Sequence, residues 1–261
     1  MDSHARPARF PFAGGRSGAT VRLHPLSSGE RRPKGRFGRG GDAPWRPVCA
    51  YLAVHPEAGP LLVDCGLHPS VAHDPAQNLG RGITRRLEAR AERDQALDEQ
   101  LRRRNLSPEA IPLVLMTHLH AEQVSAAALL SGATFLLDAR EWRAASDDET
   151  GYEPRLVDFP FDWRSIDYAD ERIDAFATFG RAVDVFGDGS VRLLSTPGHS
   201  PGHQSVLLRL ADREALICGD AAAPDAPADE HLARRTLGEL RRFAELTPSA
   251  RIHPPEALLR G

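Results

Sequence analysis

The sequence has only three cysteines, Cys49, Cys65 and Cys218, widely spaced and with no CxxC pair. A scattered, odd-numbered set is no disulfide framework and suits a reducing compartment, so a cytoplasmic location is expected. It also excludes a zinc site built on cysteine pairs. A basic surplus is missing too: 33 Lys and Arg stand against 36 Asp and Glu, for a net charge of −3. Nucleic-acid binders usually carry excess positive charge, so no nucleic-acid partner is expected. No run of 18 or more apolar residues occurs, so no membrane partner or spanning helix is expected. The first residues, Met1 to Pro7, contain no apolar stretch of signal-peptide length. No internal repeat of fixed length is visible.

What remains is an ordinary globular composition, 41% hydrophobic and 26% charged over 261 residues. That length allows one large domain or two small ones, with a core that needs no crosslink. Residues 1–20 read as a flexible N-terminus and 21–261 as a single domain. Residues 27–47, rich in glycine and proline and carrying Arg31, Arg32, Lys34, Arg36 and Arg39, read as a solvated basic loop. The apolar runs 48–54 and 61–64 flank a Pro/Gly turn and predict a hairpin. An amphipathic pattern over 83–104 predicts helix, continuous or interrupted. Leu113 to Met116 predicts a short buried strand, and further strands are expected at 134–137, 184–186, 191–194, 205–210, 215–218 and 251–253. Helices are expected from 126, at 139–145 and at 231–246, and irregular chain over 146–180.

Potential metal ligands recur at the ends of these strands. His118 and His120 follow the 113–116 run, His199 closes a Pro/Gly turn after 191–194, Asp220 follows 215–218, and His253 ends the last strand. Strand ends and the loops beyond them are where a rigid scaffold aims side chains into one cleft. On an extended segment, the spacing of two points both imidazoles of His118 and His120 to the same side. Imidazoles suit zinc and similar borderline metals, and a carboxylate adds a hard anionic oxygen. His4, His24, His55, His68, His73 and His231 lack that context and read as ordinary surface or core side chains.

In order along the chain, Val63-Asp64-Cys65-Gly66, Thr117-His118-Leu119-His120, Thr196-Pro197-Gly198-His199 and Cys218-Gly219-Asp220 resemble the successive motifs of the metallo-β-lactamase superfamily. Thr196 through Gln204, Gly187 to Ser190 and Glu141-Trp142 resemble the N-acyl homoserine lactonase branch more narrowly. The resemblance spans about residues 20–256. It implies an α/β fold, a four-layer αββα sandwich with a metal site at one edge between the sheets. It further implies that His118, His120 and His199 hold a first metal, that Asp220 bridges to a second, and that His253 serves the second. Zinc is the expected ion, one well held and a second in question, with manganese or iron as alternatives. The implied chemistry is hydrolysis of a lactone or ester carbonyl through a metal-bound hydroxide. Glu122 would hold the water or act as general base and Asp220 would position it, and the partner is a small-molecule ester or lactone. Asp64 is expected to support the ligands from behind, His203 to be structural, and Cys65 and Cys218 to be small packing residues.

The family pattern is HxHxDH, whereas this chain carries Glu122 and Gln123 in the last two places. Glutamate adds a methylene, and an amide oxygen is a poor ligand for zinc or iron, so the second position looks weakened. Ala223 stands where the branch usually has a tyrosine, and Pro254 follows His253 where the family tends to have aspartate. Two alternatives follow: a catalytically impaired or non-catalytic binding protein of the same fold, and a thioester hydrolase of the same superfamily.

Overall fold

The computed structural model describes residues 5–12, 15–35, 43–146, 151–222 and 227–253. Two sheets lie face to face. Among the described residues, the first has eight strands in the order β1-β8-β7-β6-β4-β3-β2-β5. These are β1 (Arg6–Pro7), β2 (Arg22–Pro33), β3 (Arg46–His55), β4 (Gly59–Val63), β5 (Leu87–Arg90), β6 (Leu113–Leu115), β7 (Thr134–Asp138) and β8 (Asp162–Ile166). The second has five, in the order β13-β12-β11-β10-β9: β9 (Ala182–Asp184), β10 (Val191–Ser195), β11 (Gln204–Arg209), β12 (Glu214–Ile217) and β13 (Arg251–His253). The expected 48–54/61–64 hairpin is the antiparallel β3–β4 pair. The short apolar β6 lies parallel between β4 and β7, as a strand buried on both faces should.

Strand alternation builds the layers. Successive side chains point to opposite faces, so Leu61, Val63, Leu113, Leu115 and Leu136 meet Val191, Leu193, Val206, Leu208 and Ile217 between the sheets. Their neighbours Leu62, Val114, Phe135 and Leu137 point the other way, into a second core. That core is closed by helices α1 (Pro75–Arg86), α2 (Leu97–Arg102), α3 (Ala121–Val124) and α4 (Ala139–Ser146). On the far side, Leu194, Leu207 and Leu216 pack against Leu240 and Phe243 of α5 (Glu230–Leu246). Helix, sheet, sheet, helix is the four-layer order that the resemblance implied. Among the described residues no helix is long and apolar enough to cross a membrane.

Four expectations need correcting. The 146–180 stretch is not all irregular: it contains β8, paired along its length with β7. Residues 5–12 are held rather than frayed: β1 pairs with β8, and the Ala8 and Phe12 amides donate to the Ser165 and Val185 carbonyls. The 83–104 stretch is an interrupted helix in which a strand makes the break. α1 stops at Arg86, Leu87–Arg90 pairs with β2 as β5, and α2 starts at Leu97. The supposed loop from residue 27 is, up to Pro33, the second half of β2, paired with β3 on one side and β5 on the other. Arg36 and Arg39 lie outside the described residues.

Phe135 is fully buried at the centre of β7, with its ring centroid 4.5 Å from that of Trp163. Phe135→Ala leaves a cavity in a close-packed core, and is expected to lower stability by about 3–5 kcal/mol. The urea midpoint should fall at unchanged slope; an unchanged midpoint would show that this layer is not the core.

Candidate metal centre

The ligand-type side chains reach one place because the strands that carry them end there. His118 and His120 leave the end of β6, His199 follows β10, Asp220 follows β12 and Asp64 follows β4. The two sheets are stitched together at this edge by Gln204. Its backbone amide donates to the Thr117 carbonyl, its side-chain amide donates to the Met116 carbonyl at 2.8 Å, and its oxygen accepts from Tyr168 Oη at 2.9 Å.

His118, His120 and His199 form a compact group, each offering a ligand atom within 4.8 Å of the others. His199 Nε2 lies 3.2 Å from His120 Nδ1. Two nitrogens on one tetrahedral zinc, each about 2.0–2.1 Å from it, stand about 3.3 Å apart, so this pair already has the spacing of two ligands. His118 Nε2 is buried with no hydrogen-bond partner in the protein, an orphaned lone pair aimed at the same space. Asp220 Oδ2 is 3.8 Å from His118 Nε2 and 3.7 Å from His199 Nε2. These donors fit a divalent metal.

The tautomer of His118 is set from behind. Asp64, at φ 57°, turns both carboxylate oxygens to Thr117, whose amide donates to Oδ1 at 2.7 Å and whose hydroxyl donates to Oδ2 at 2.8 Å. With its proton committed to Asp64, Thr117 Oγ1 accepts from His118 Nδ1 at 3.0 Å. That leaves the Nε2 lone pair for the site, the usual reason a carboxylate or hydroxyl stands behind a metal-binding imidazole. Burial pushes Asp64 up to about 8, against the two hydrogen bonds from Thr117; the positive charge of an ion held by His118 would favour the carboxylate that this arrangement uses.

Burial, together with the neighbouring imidazoles, holds His118 well below the ordinary histidine value and His120 below it as well. Both rings are therefore neutral donors at neutral pH, as metal binding requires. Burial alone would raise Asp220, but Arg31 keeps it below the usual carboxylate range, and so ionised. His203 is fully buried, its Nδ1 is 3.0 Å from Thr196 Oγ1, and burial lowers it to about 3. Burial raises the Cys65 thiol and pushes Cys218 up to about 12, leaving neither a thiolate nucleophile at neutral pH.

The other expected site residues are placed differently. Glu122 and Gln123 are buried on α3, but Glu122 Oε1 is 3.0 Å from Arg31 Nε, an ion pair. His253 is half-buried, with its ring 5.7 Å from the Tyr51 ring, and the three-histidine group does not include it. Ala223 and Pro254 lie outside the described residues.

Two site residues escaped the sequence reading. Arg31, expected in a solvated basic loop, is 7% exposed and sits between Glu122 and Asp220. The second is Glu141, on α4, which sequence had flagged only as part of a resemblance. Its fully buried carboxylate accepts from the Leu119 amide at 2.9 Å, Tyr152 Oη at 2.9 Å, Ser200 Oγ at 2.6 Å and the Gly202 amide at 3.1 Å. It thereby ties the loop of His118 and His120 to the loop of His199 and His203. Gly202 is required for that approach, because a Cβ there would come within 2.2 Å of the Glu141 amide nitrogen.

With this geometry in view, comparison with known proteins is direct. The chain matches the metallo-beta-lactamase superfamily over residues 43–254 and belongs to it. It is 28% identical to the N-acyl homoserine lactonase AttM of Agrobacterium fabrum, over 91% of this chain and 94% of that protein. It is 26% identical to an N-acyl homoserine lactonase of Bacillus cereus, over 62% of this chain and 58% of that protein. Its fold superposes on a solved N-acyl homoserine lactone hydrolase, with product bound at that protein's catalytic metal centre. The TM-score is 0.72 at 21% identity, covering 89% of this chain and 92% of the other.

Glu141→Gln preserves shape but turns one acceptor into a donor, so two of the four donors that face the carboxylate lose their partner. The expected result is zinc affinity weaker by about 10–100-fold in a chain that still folds. Competition with a chromophoric chelator measures it, and unchanged affinity would show that Glu141 does not position the ligand loops.

Proposed function

We propose that this protein is a metal-dependent hydrolase that opens a lactone ring, with an N-acyl homoserine lactone as the substrate class and zinc as the ion. The observation that carries the reading is the convergence of His118 Nε2, His120 Nδ1 and His199 Nε2 on one buried space, faced by Asp220 Oδ2. Full-length similarity to a lactonase supports the choice of substrate.

In this reading His118, His120 and His199 hold the metal, each as a neutral imidazole. The ion, when bound, supplies Lewis acidity and lowers the pKa of a water. The residues of the chain do the rest. Asp220, ionised and fixed by Arg31 at 2.7 Å, orients the nucleophilic water and accepts a hydrogen bond from it. Thr117 and Asp64 keep the proton of His118 on Nδ1. Glu141 holds the two ligand loops at a fixed separation, so little reorganisation is needed at the moment of reaction. The Tyr152 ring, 4.9 Å from that of His120 and anchored by its hydroxyl to Glu141, makes a T-shaped contact with that imidazole. Glu122, paired with Arg31, shapes the charge of the site rather than acting as a free base.

The test is ring opening of N-hexanoyl homoserine lactone by zinc-loaded protein, followed by proton release. Turnover should be abolished by a chelator and restored by zinc. His199→Ala should lose at least about 100-fold, the upper end for loss of an outer support of a ligand. Ring opening that survives both chelator and His199→Ala would sink the reading.

A further inference from the structure

We propose that Arg31 fills the second cation position of this site, so that the centre takes one divalent metal at His118, His120 and His199 and uses a guanidinium on the other side of Asp220 as its fixed second positive charge. This rests on the metal reading above and specifies how many ions it takes.

One oxygen, Asp220 Oδ2, faces both sides. It lies 3.8 and 3.7 Å from the His118 and His199 nitrogens, and 2.7 Å from Arg31 Nη2. On the same side as Arg31, Glu122 Oε1 is 3.0 Å from Arg31 Nε. Both carboxylates that could draw in a second metal are thus already paired to one guanidinium. That group keeps its charge at any accessible pH. A further divalent ion beside it would meet like charge at close range in a buried site, where screening is weak. The remaining candidate donors are poor. Gln123 offers a neutral amide, and the His253 ring is engaged in a T-shaped contact with Tyr51.

The placement of Arg31 is built into the sheet. β2 pairs with β3 in regular register up to Ser27, then shifts at Gly29. Before the shift, Leu26 and Ser28 are the buried positions; after it, Arg31 is buried and Glu30 and Arg32 are not. A one-residue bulge exchanges the faces of a strand, and here it turns Arg31 into the site, while Glu30 and Arg32 pair with Arg90 and Glu88 outside it. Gly29, at φ 135°, allows the bulge, because a Cβ there would come within 2.4 Å of the Arg90 carbonyl oxygen.

Titration of metal-free protein with cobalt(II), read by visible absorption and by elemental analysis after desalting, decides the matter. Wild type should saturate at one equivalent per chain. Arg31→Ala/Gln123→His should take up two, and Arg31→Lys/Gln123→His, which keeps the charge, should stay at one. Two equivalents on wild type would overturn the proposal whether or not the variants fold. One equivalent on Arg31→Ala/Gln123→His would overturn it as well. No binding by wild type would remove the metal reading itself, and this proposal with it, an outcome distinct from a count of two.

Discussion

The buried carboxylate of Glu141 accepts hydrogen bonds from two loops that belong to different sheets, and from Tyr152. Those loops carry the three histidines. A buried anion is tolerated only where donors satisfy it, so the donors and the carboxylate hold one another in place. Neither loop could shift without leaving part of that charge unpaired. The same logic runs through Asp64, Thr117 and His118, where a hydroxyl passes the constraint from a strand end to an imidazole. The geometry of the site is therefore set by its supports as much as by the residues that face the ligand.

Charge is distributed with equal economy. Burial keeps the His118 and His120 imidazoles neutral, while Arg31 keeps Asp220 ionised. Glu122, which occupies a family metal-ligand place, faces a guanidinium instead. The departures at Glu122 and Gln123 and the inward turn of Arg31 thus belong to one arrangement. Under the proposal above, one metal and one guanidinium stand around the same carboxylates in place of two ions.

Much of this was legible in the chain. Short apolar runs ending in His118, Asp220 or Asp64 mark strands whose ends share an edge, and the order of those motifs resembles one superfamily. What stayed hidden had physical reasons. β2 reads Arg-Leu-His-Pro-Leu-Ser-Ser-Gly-Glu-Arg-Arg-Pro, with two prolines, a glycine and a bulge that breaks the period-2 pattern on which strand prediction rests. Leu87–Arg90 consists of good helix formers, and pairing with β2 overrides that propensity. Glu141 sits on a short polar helix, and nothing local signals that its carboxylate is completely enclosed. Those contacts are long-range and exist only once both sheets are in place.

The central claim is that three imidazoles share one metal and that a guanidinium stands where a second ion would be. X-ray absorption at the zinc edge of zinc-loaded protein tests both halves in a single spectrum. The account predicts three imidazole nitrogens at about 2.0–2.1 Å and no metal–metal scattering at about 3.5–4 Å. A metal–metal vector in that range, or fewer than three imidazoles on the ion, would contradict it.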